Sequence, residues 1–249
     1  MAVIKHLLEA PRAEAAMNLH LAPASLRERA LRAGFRGFCR VLFRLWCPLT
    51  VIHRERLPKP PFLLCSNHCS HMDSVVLMTG SGLPFNSCAM LAAKDYFFEN
   101  KNRNGFLPLL MNLIPADRKA SRHAIAEVLR ACQQFIHAGD RCLIMYPEGT
   151  RSMTGELQPL KKGAAMIAVE LGIPLVPVHI DGTFRALPKG VKLVRSTRIM
   201  MRVGAPIVPS DFLAKSRIDG QKDLQTYAKV TDELTLRLRQ LATEQANAR

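Results

Sequence analysis

The chain has 249 residues, 48% of them hydrophobic, so it can bury the core of one large domain or two small ones and is not disordered as a whole. Lys and Arg number 35 against 20 acidic residues, and the net charge of +15 indicates an anionic partner such as nucleic acid, an anionic membrane surface or a phosphorylated substrate. Aromatic residues make up only 6%, which disfavours recognition of single-stranded nucleic acid by stacking.

The seven cysteines are odd in number and irregularly spaced, so we interpret them as free thiols of a reducing compartment rather than a disulfide framework. The first residues do not resemble a signal peptide, because the apolar run after Lys5 is short and charged residues follow it closely. No stretch reaches the roughly 18 uncharged apolar residues that a membrane-spanning helix requires. We therefore do not expect a protein that spans a membrane.

The first predicted element is an amphipathic helix over residues 25–46, preceded by a weakly patterned arm. Apolar residues recur there at three- and four-residue steps, and arginines at positions 32, 36, 40 and 44 form a second stripe. Such a helix is typical of an anionic membrane interface, although a helix packed on the core with solvated arginines is the alternative. We predict that residues 1–50 are an N-terminal arm with a membrane-associating helix, and that residues 51–249 form the main domain.

After residue 58, short apolar runs alternate with helical patterns. This alternation predicts an α/β fold in which a mainly parallel central sheet is flanked by helices and preceded by the amphipathic basic helix. The predicted strands cover residues 62–66, 89–93, 142–146, 174–180 and 198–203, and the predicted helices start at residue 121 and cover residues 164–171 and 221–246.

A polar segment, Asn-His-Cys-Ser-His-Met-Asp at residues 67–73, directly follows the first of these strands. On one continuous helix His68 and Asp73 would lie about 140° apart and could not meet. The capping-box spacing of Ser70 and Asp73 indicates instead that the helix begins near Ser70, with Asp73 in its first turn and His68 in the loop before it. Asp73 would then bond one ring nitrogen of His68 and leave the other free to accept a proton. The alternatives are a purely capping Asp73, or a metal site, for which the ligands are too densely spaced.

A second segment, Tyr-Pro-Glu-Gly-Thr-Arg-Ser at residues 146–152, follows another predicted strand. Gly149 allows the backbone to approach a ligand closely, and the guanidinium of Arg151 suits a phosphate or carboxylate. The segment lies beyond the carboxyl end of a strand, where open α/β sheets bind ligands. A surface turn with solvated charges is the alternative, and the segment is not a P-loop because no Gly-Lys-Ser/Thr sequence follows.

Three other segments carry weaker signals. Residues 114–118 form an apolar run that ends in a charged pair, for which a helix start is the simpler interpretation. Residues 172–178 indicate a strand with prolines at both ends, suited to an edge or strand-end position and able to line an apolar groove. Six basic residues between positions 185 and 202, without an acid, form either a solvated face or a patch for head groups or a carrier protein.

Taken in chain order, the segments at residues 67–73, 114–118, 146–152 and 172–178 resemble the motifs of the glycerolipid acyltransferase family, which includes bacterial 1-acylglycerol-3-phosphate acyltransferases. Residues 67–73 match its Asn-His-x-Ser-x-x-Asp pattern. Residues 146–152 are similar to its Pro-Glu-Gly-Thr-Arg-Ser block, with Tyr146 where Phe is common, and residues 172–178 are similar to its proline-bearing block. The segment ending in Arg118 stands where its second block is, without the glycine and aromatic residue that precede the arginine there.

The resemblance covers about residues 50–210 and implies transfer of a fatty acyl group from acyl-CoA or acyl-carrier protein to the hydroxyl of a lysophospholipid, first of all 1-acylglycerol-3-phosphate (lysophosphatidic acid). His68 is then the general base and Asp73 orients it. We expect direct attack without an acyl-enzyme, because no Ser or Cys lies in an evident nucleophile elbow, although Cys65 and Cys69 flank the pair. The implied substrate-binding residues are Arg118, Glu148, Gly149, Thr150 and Arg151.

Backbone N–H groups in residues 69–72 or 149–151 are candidate donors to the developing oxyanion. No metal ion or other cofactor is expected. The implied partners are an anionic membrane surface, a lysophospholipid and acyl-CoA or acyl-carrier protein, without nucleic acid, and the implied location is the cytoplasmic face of the cell membrane, as a peripheral or monotopic protein. The alternatives are another lysolipid or alcohol acceptor, an inactive basic lipid-binding module, or a nucleic-acid binder, which would explain the charge but not the motifs.

Overall fold

A seven-stranded sheet forms the centre of the computed structural model, which describes residues 25–93, 107–117, 121–213 and 224–244. The strands are β1 (Leu49–Ile52), β2 (Phe62–Ser66), β3 (Cys88–Ala93), β4 (Asn112–Ala116), β5 (Cys142–Met145), β6 (Leu175–Asp181) and β7 (Ile199–Val203). The helices are α1 (Leu26–Leu45), α2 (Met72–Ser81), α3 (Leu107–Leu110), α4 (Arg122–Ile136), α5 (Gly163–Leu171), α6 (Thr183–Ala186) and α7 (Leu224–Thr243).

The strand order across the sheet is β1-β7-β6-β2-β5-β3-β4. The five strands from β6 to β4 run parallel, whereas β7 is antiparallel to β6 and parallel to β1. A helix lies between each two consecutive strands along the chain from β2 to β6, because parallel strands need a crossover long enough to return to the same sheet end. The predicted α/β class with a mainly parallel sheet and flanking helices is therefore confirmed.

The sequence pattern did not predict β1 and β4, which are the two edge strands of the sheet. Residues 114–116 belong to β4, so the interpretation of this run as a helix start is wrong. Pro115 lies inside the strand, opposite Ala92 of β3. A proline cannot donate to a ladder, so it is tolerated at an edge, where one side of the strand has no partner.

Each face of the sheet carries an apolar layer. The front layer packs α1 and α2 on the sheet, and the back layer packs α4, α5 and α7 on the opposite face. Side chains alternate between the two along each strand, so Leu64 of β2 enters the front layer and Leu63 enters the back layer. All five residues of β2 are buried, as expected for a central strand covered on both faces.

Helix α1 lies where the amphipathic pattern predicts it and begins with a capping box between Ser25 and Glu28. Its arginine stripe is not uniform, which corrects the interpretation of four arginines sharing one lipid- or solvent-facing stripe. Arg32 is only 2% exposed, and Arg36 donates a hydrogen bond to the carbonyl of Gly82. Of the four, Arg40 and Arg44 are exposed.

The seven cysteines are all buried free thiols, as their spacing predicts. The arm over residues 1–24 lies outside the described residues, and the division of the chain at residue 50 stays a prediction. Within the described ranges, none of the helices combines the length and apolar character needed to cross a membrane.

Candidate active site

Two loops meet at the carboxyl edge of the parallel strands. β2 pairs in register with β5, so the loops that follow these strands, residues 67–71 and 146–152, emerge side by side. The amide of Ser152 donates to the carbonyl of His68 at 2.7 Å and joins them directly. On the other side of β2, the side chain of Asn67 donates to the carbonyl of Ile180 in β6 and accepts from its amide, at 2.9 and 2.8 Å. Three neighbouring strands therefore support one site.

His68 and Asp73 form a hydrogen-bonded pair, with 2.9 Å between Nδ1 and Oδ2. The same carboxylate oxygen accepts from the backbone amides of Cys69 and Ser70 at 2.7 and 2.8 Å, which hold it in place. Asp73 is 1% exposed in the first turn of α2, and His68 is half-buried in the preceding loop, as the motif spacing predicts. Because Nδ1 is occupied, Nε2 is the nitrogen that can accept a proton.

Helix α2 begins at Met72, two residues after Ser70. The hydroxyl of Ser70 accepts a hydrogen bond from the amide of Met72 at 3.1 Å and donates to the carbonyl of Leu187 at 2.7 Å. With the bond from the Ser70 amide to Asp73, this is a variant of the predicted capping box, in which the hydroxyl caps the amide two residues onward. Ser70 also ties the site to the segment that follows α6.

The ring of Tyr146 stacks on the imidazole of His68, with 3.8 Å between ring centroids and 10° between ring planes. Its hydroxyl shares a 2.9 Å hydrogen bond with Ser74, one residue after Asp73 on α2. Burial raises the pKa of Tyr146 well above its ordinary value, so the hydroxyl stays neutral. Sequence reasoning missed this contact. The available signal was a tyrosine at a position where the resembling family has phenylalanine.

Glu148 bridges the two loops from inside. Its carboxylate accepts from the amide of His68 at 2.7 Å through Oε1 and from the amide of Gln158 at 3.0 Å through Oε2, and the residue is only 3% exposed. Burial raises its pKa from 4.5 to about 7. The resemblance implies a substrate-binding role for Glu148, and in this geometry its two oxygens also accept backbone amides, one of which is the amide of His68.

The other implied binding residues follow Glu148 on the same loop. Gly149 has a φ of +73°, a conformation that favours glycine. Thr150 is exposed, and Gly149 and Arg151 are half-buried, so the loop opens outward beside His68. Arg118 lies outside the described residues. Of the two arginines implied to bind phosphate, Arg151 is the one that the structure describes, and the next residue, Ser152, bonds the carbonyl of His68.

Several backbone amides predicted as oxyanion donors are engaged within the protein. Those of Cys69 and Ser70 donate to Asp73, and that of Met72 donates to the Ser70 hydroxyl. The amide of Gly149 donates to the carbonyl of Tyr146 at 3.0 Å. These four amides are not available to a substrate oxyanion in this arrangement.

The two cysteines that flank the pair are poorly suited to act as nucleophiles. Burial raises the pKa of the Cys65 thiol far above its ordinary value. Burial, with the carboxylates of Asp73 and Glu148 nearby, raises that of Cys69 to about 12. A nucleophilic cysteine needs the thiolate form, which both environments disfavour. Among the residues whose placement is described, no three His, Cys, Asp or Glu side chains come together in a way that could hold a metal ion.

Comparison with known proteins identifies relatives of this site. Residues 48–181, which include both loops, match the family model described as Acyltransferase. A chloroplastic 1-acyl-sn-glycerol-3-phosphate acyltransferase from Brassica napus is 28% identical over 171 residues, covering 62% of this chain and 46% of that protein. The 1-acyl-sn-glycerol-3-phosphate acyltransferase of Saccharomyces cerevisiae is 30% identical over 170 residues, covering 68% and 54%. The chain thus spans about half the length of these curated relatives.

A solved structure shares the fold. The 1-acyl-sn-glycerophosphate acyltransferase of Thermotoga maritima aligns with a TM-score of 0.63 at 23% identity, covering all of this chain and 88% of that one. The family model supports the motif resemblance over more than half of the chain, and the solved structure supports the architecture that holds the motifs. The chain therefore belongs to the acyltransferase family, in agreement with the resemblance of its motifs to those of glycerolipid acyltransferases.

Proposed function

We propose that this protein transfers a fatty acyl group from acyl-CoA or acyl-carrier protein to the hydroxyl of a lysophospholipid, with 1-acylglycerol-3-phosphate as the first candidate acceptor. The observation that carries the proposal is the bond between His68 and Asp73 beside the loop of residues 149–151. The choice of acceptor is supported by the relatives, which are named 1-acyl-sn-glycerol-3-phosphate acyltransferases.

In the proposed reaction, Nε2 of His68 removes the proton of the acceptor hydroxyl as its oxygen attacks the thioester carbonyl. The tetrahedral intermediate then collapses, the carbon–sulfur bond breaks, and the leaving thiolate takes the proton back from the imidazolium. Asp73 stabilises that imidazolium and keeps the tautomer correct. Base catalysis on a thioester accounts for every bond change, so the mechanism uses no metal ion or redox cofactor.

Arg151 is proposed to hold the acceptor phosphate by charge-assisted hydrogen bonds, together with Arg118. Gly149 and Thr150 form the outward part of the same loop and would lie against the phosphate or glycerol. Glu148 is proposed to act indirectly, by positioning His68, because its two carboxylate oxygens accept the backbone amides of His68 and Gln158. Removal of either arginine is expected to weaken acceptor binding more than turnover.

The protein is proposed to work as a peripheral or monotopic protein on the cytoplasmic face of an anionic membrane. Support comes from α1, on which Leu31, Phe38, Val41 and Leu45 are 39%, 62%, 57% and 74% exposed. At 100° per residue these four lie within about 80° of one another and form one apolar stripe. Apolar side chains beside exposed arginines suit the boundary between head groups and acyl chains.

The decisive experiment measures thiol release from a panel of acyl-CoA donors, with lysophosphatidic acid and separately with non-phosphorylated lysolipids. The folded His68→Ala protein is the control. We expect release that requires both lysophosphatidic acid and His68. Release with another acceptor alone would keep the acyl transfer and replace the substrate. No release across the panel, with a carrier-protein donor also tried, would contradict the proposed activity.

A further inference from the structure

A second exposed surface lies between α6 and β7. Residues 188–198, here called the basic loop, contain no acidic residue. Leu193 is 81% exposed and Val191 is 36% exposed. The exposed basic residues of the loop are Lys189, Lys192, Arg195 and Arg198. The loop thus presents apolar side chains among cations, in a segment that the motif resemblance gives no role.

The basic loop has a defined position, because hydrogen bonds fix it to the end of α1. The indole of Trp46 donates to the carbonyl of Val194 at 3.0 Å, and the hydroxyl of Ser196 donates to the carbonyl of Trp46 at 2.7 Å. Val194 itself packs against the front layer. The protruding Leu193 is therefore held out by a supported backbone.

The basic loop continues the exposed apolar stripe of α1. Trp46 is 52% exposed and lies between Leu45, at the end of the stripe, and the loop. The base of the loop also reaches the candidate active site, since Ser70, between His68 and Asp73, donates to the carbonyl of Leu187. The end of the stripe, Trp46 and the basic loop therefore adjoin one another, and the base of the loop is bonded to the site.

We propose that the basic loop is a second membrane-docking element, which inserts Leu193 into the interface of an anionic bilayer and holds the candidate active site against it. Its cations meet anionic head groups, while Leu193 and Val191 enter the acyl boundary. The mixture of cations and exposed aliphatic side chains favours a loop that binds a bilayer over a loop that only faces water, because water stabilises the cations but not Leu193. The purpose assigned to docking, delivery of a lipid acceptor, rests on the proposed function.

The first test is co-sedimentation with vesicles of phosphatidylcholine and phosphatidylglycerol in equal parts. Leu193→Ser is expected to lower the partition coefficient about tenfold, since one aliphatic side chain no longer leaves water. The matched control is Leu236→Ser, because Leu236 is 52% exposed on α7, behind the opposite face of the sheet, and its replacement is expected to change nothing. Equal partitioning of Leu193→Ser and wild type would overturn the proposal.

The second test separates local charge from net charge. Lys189→Ser combined with Lys192→Ser is expected to weaken binding to the anionic vesicles by roughly tenfold or more, and to leave binding to phosphatidylcholine alone unchanged. The control pair, Lys229→Ser with Arg239→Ser, removes the same charge from exposed positions on α7. A similar loss in both pairs would show that only net charge matters and would overturn a specific docking loop.

The third test keeps docking and catalysis apart. In detergent micelles the loop variants are expected to retain wild-type acyl transfer, whereas with acceptor embedded in vesicles their KM rises. Normal vesicle binding with slower transfer from acyl-carrier protein would instead make the loop a carrier-protein surface and overturn the proposal. If wild type transfers no acyl group but the loop variants still lose vesicle binding, docking stands while the proposed function fails.

Discussion

Three side chains hold His68, and each restricts a different freedom. Asp73 bonds Nδ1 and sets the tautomer, Tyr146 lies flat against the ring, and Glu148 holds the backbone amide of the loop. A general base must present its free nitrogen to the acceptor in one orientation, so all three contacts bear on turnover. Substitutions can separate the three contacts, because Asp73 acts through its charge, Tyr146 through the shape of its ring and Glu148 through the main chain of His68.

Asp73→Asn is expected to lower kcat by about 10²- to 10⁴-fold with little change in KM, because the amide no longer enforces the productive tautomer or stabilises the imidazolium. Steady-state kinetics with the thiol-release assay measures both constants. A thermal melt verifies that the variant is folded. Turnover within about threefold of wild type would exclude Asp73 from the mechanism.

Tyr146→Leu is expected to lower kcat about tenfold at nearly unchanged KM, since the imidazole loses the flat surface that limits its tilt. Tyr146→Phe keeps the stacked ring and removes only the hydroxyl that meets Ser74, so it should retain turnover within about threefold. Comparison of kcat and KM for the two variants distinguishes orientation from general destabilisation. Equal losses in both would assign the effect to the hydroxyl instead of the stack.

Glu148→Gln is expected to remove a pH dependence of stability. The pKa of Glu148 is raised from 4.5 to about 7 in the folded protein, so between these values the folded state holds a proton that the unfolded state has lost. The free energy of unfolding therefore falls as pH rises through this window. Thermal melts should show the variant gaining stability relative to wild type from pH 5 to pH 8. A difference that is constant with pH would contradict the prediction.

At the scale of an element, helix α1 has two faces with different partners. Its inner face buries Cys39 and Phe43 in the front layer, while its outer stripe faces away from the core. Arg32 belongs to the inner face. Its Nε donates to the carbonyl of Leu109 at 3.1 Å and its Nη1 donates to Asn112 at 2.6 Å. These bonds join α1 to α3 and β4, at the far edge of the sheet.

Arg32→Leu is expected to lower the free energy of unfolding by about 2–3 kcal/mol, because it leaves buried acceptors without their charged donor. Arg40→Leu changes an exposed residue of the same helix and should shift it by no more than about 0.5 kcal/mol. Urea denaturation of both variants gives the comparison. Similar changes in the free energy of unfolding for the two variants would mean that the hydrogen bonds of Arg32 stabilise the fold little more than hydrogen bonds to water would.

At the scale of the whole molecule, the net charge of +15 gives an attraction to anionic surfaces that salt can screen. Raising NaCl from about 0.05 M to about 0.5 M shortens the Debye length to a few ångströms. The partition coefficient onto anionic vesicles is therefore expected to fall by roughly tenfold or more, with little change on neutral vesicles. Fluorescence titration of Trp46 against each vesicle type measures this. Salt-independent binding would show that the apolar contacts dominate.

Much of this architecture could be predicted because local patterns and chain-wide order agree. The alternation of buried runs with helical periodicity indicates a parallel sheet, and β2 occupies the residues predicted for it. The spacing of Ser70 and Asp73 predicts the bond to His68, because a capping geometry decides that contact within seven residues. Both inferences depend on neighbours in sequence, where periodicity and caps carry direct information.

Other features depend on contacts between residues far apart in the chain, which no local pattern encodes. Arg32 lies about 80° from Arg40 around the helix, on the side of the buried Cys39 and Phe43. The bonds that satisfy its guanidinium there depend on Asn112, which arrives from a distant edge strand. Glu148 belongs to a motif whose resemblance implies substrate binding. The pairing of β2 with β5 also brings its carboxylate to the amide of His68, which the motif alone does not predict. Burial and hydrogen-bond partners are properties of the packed chain, so they were decided only when the strands came together.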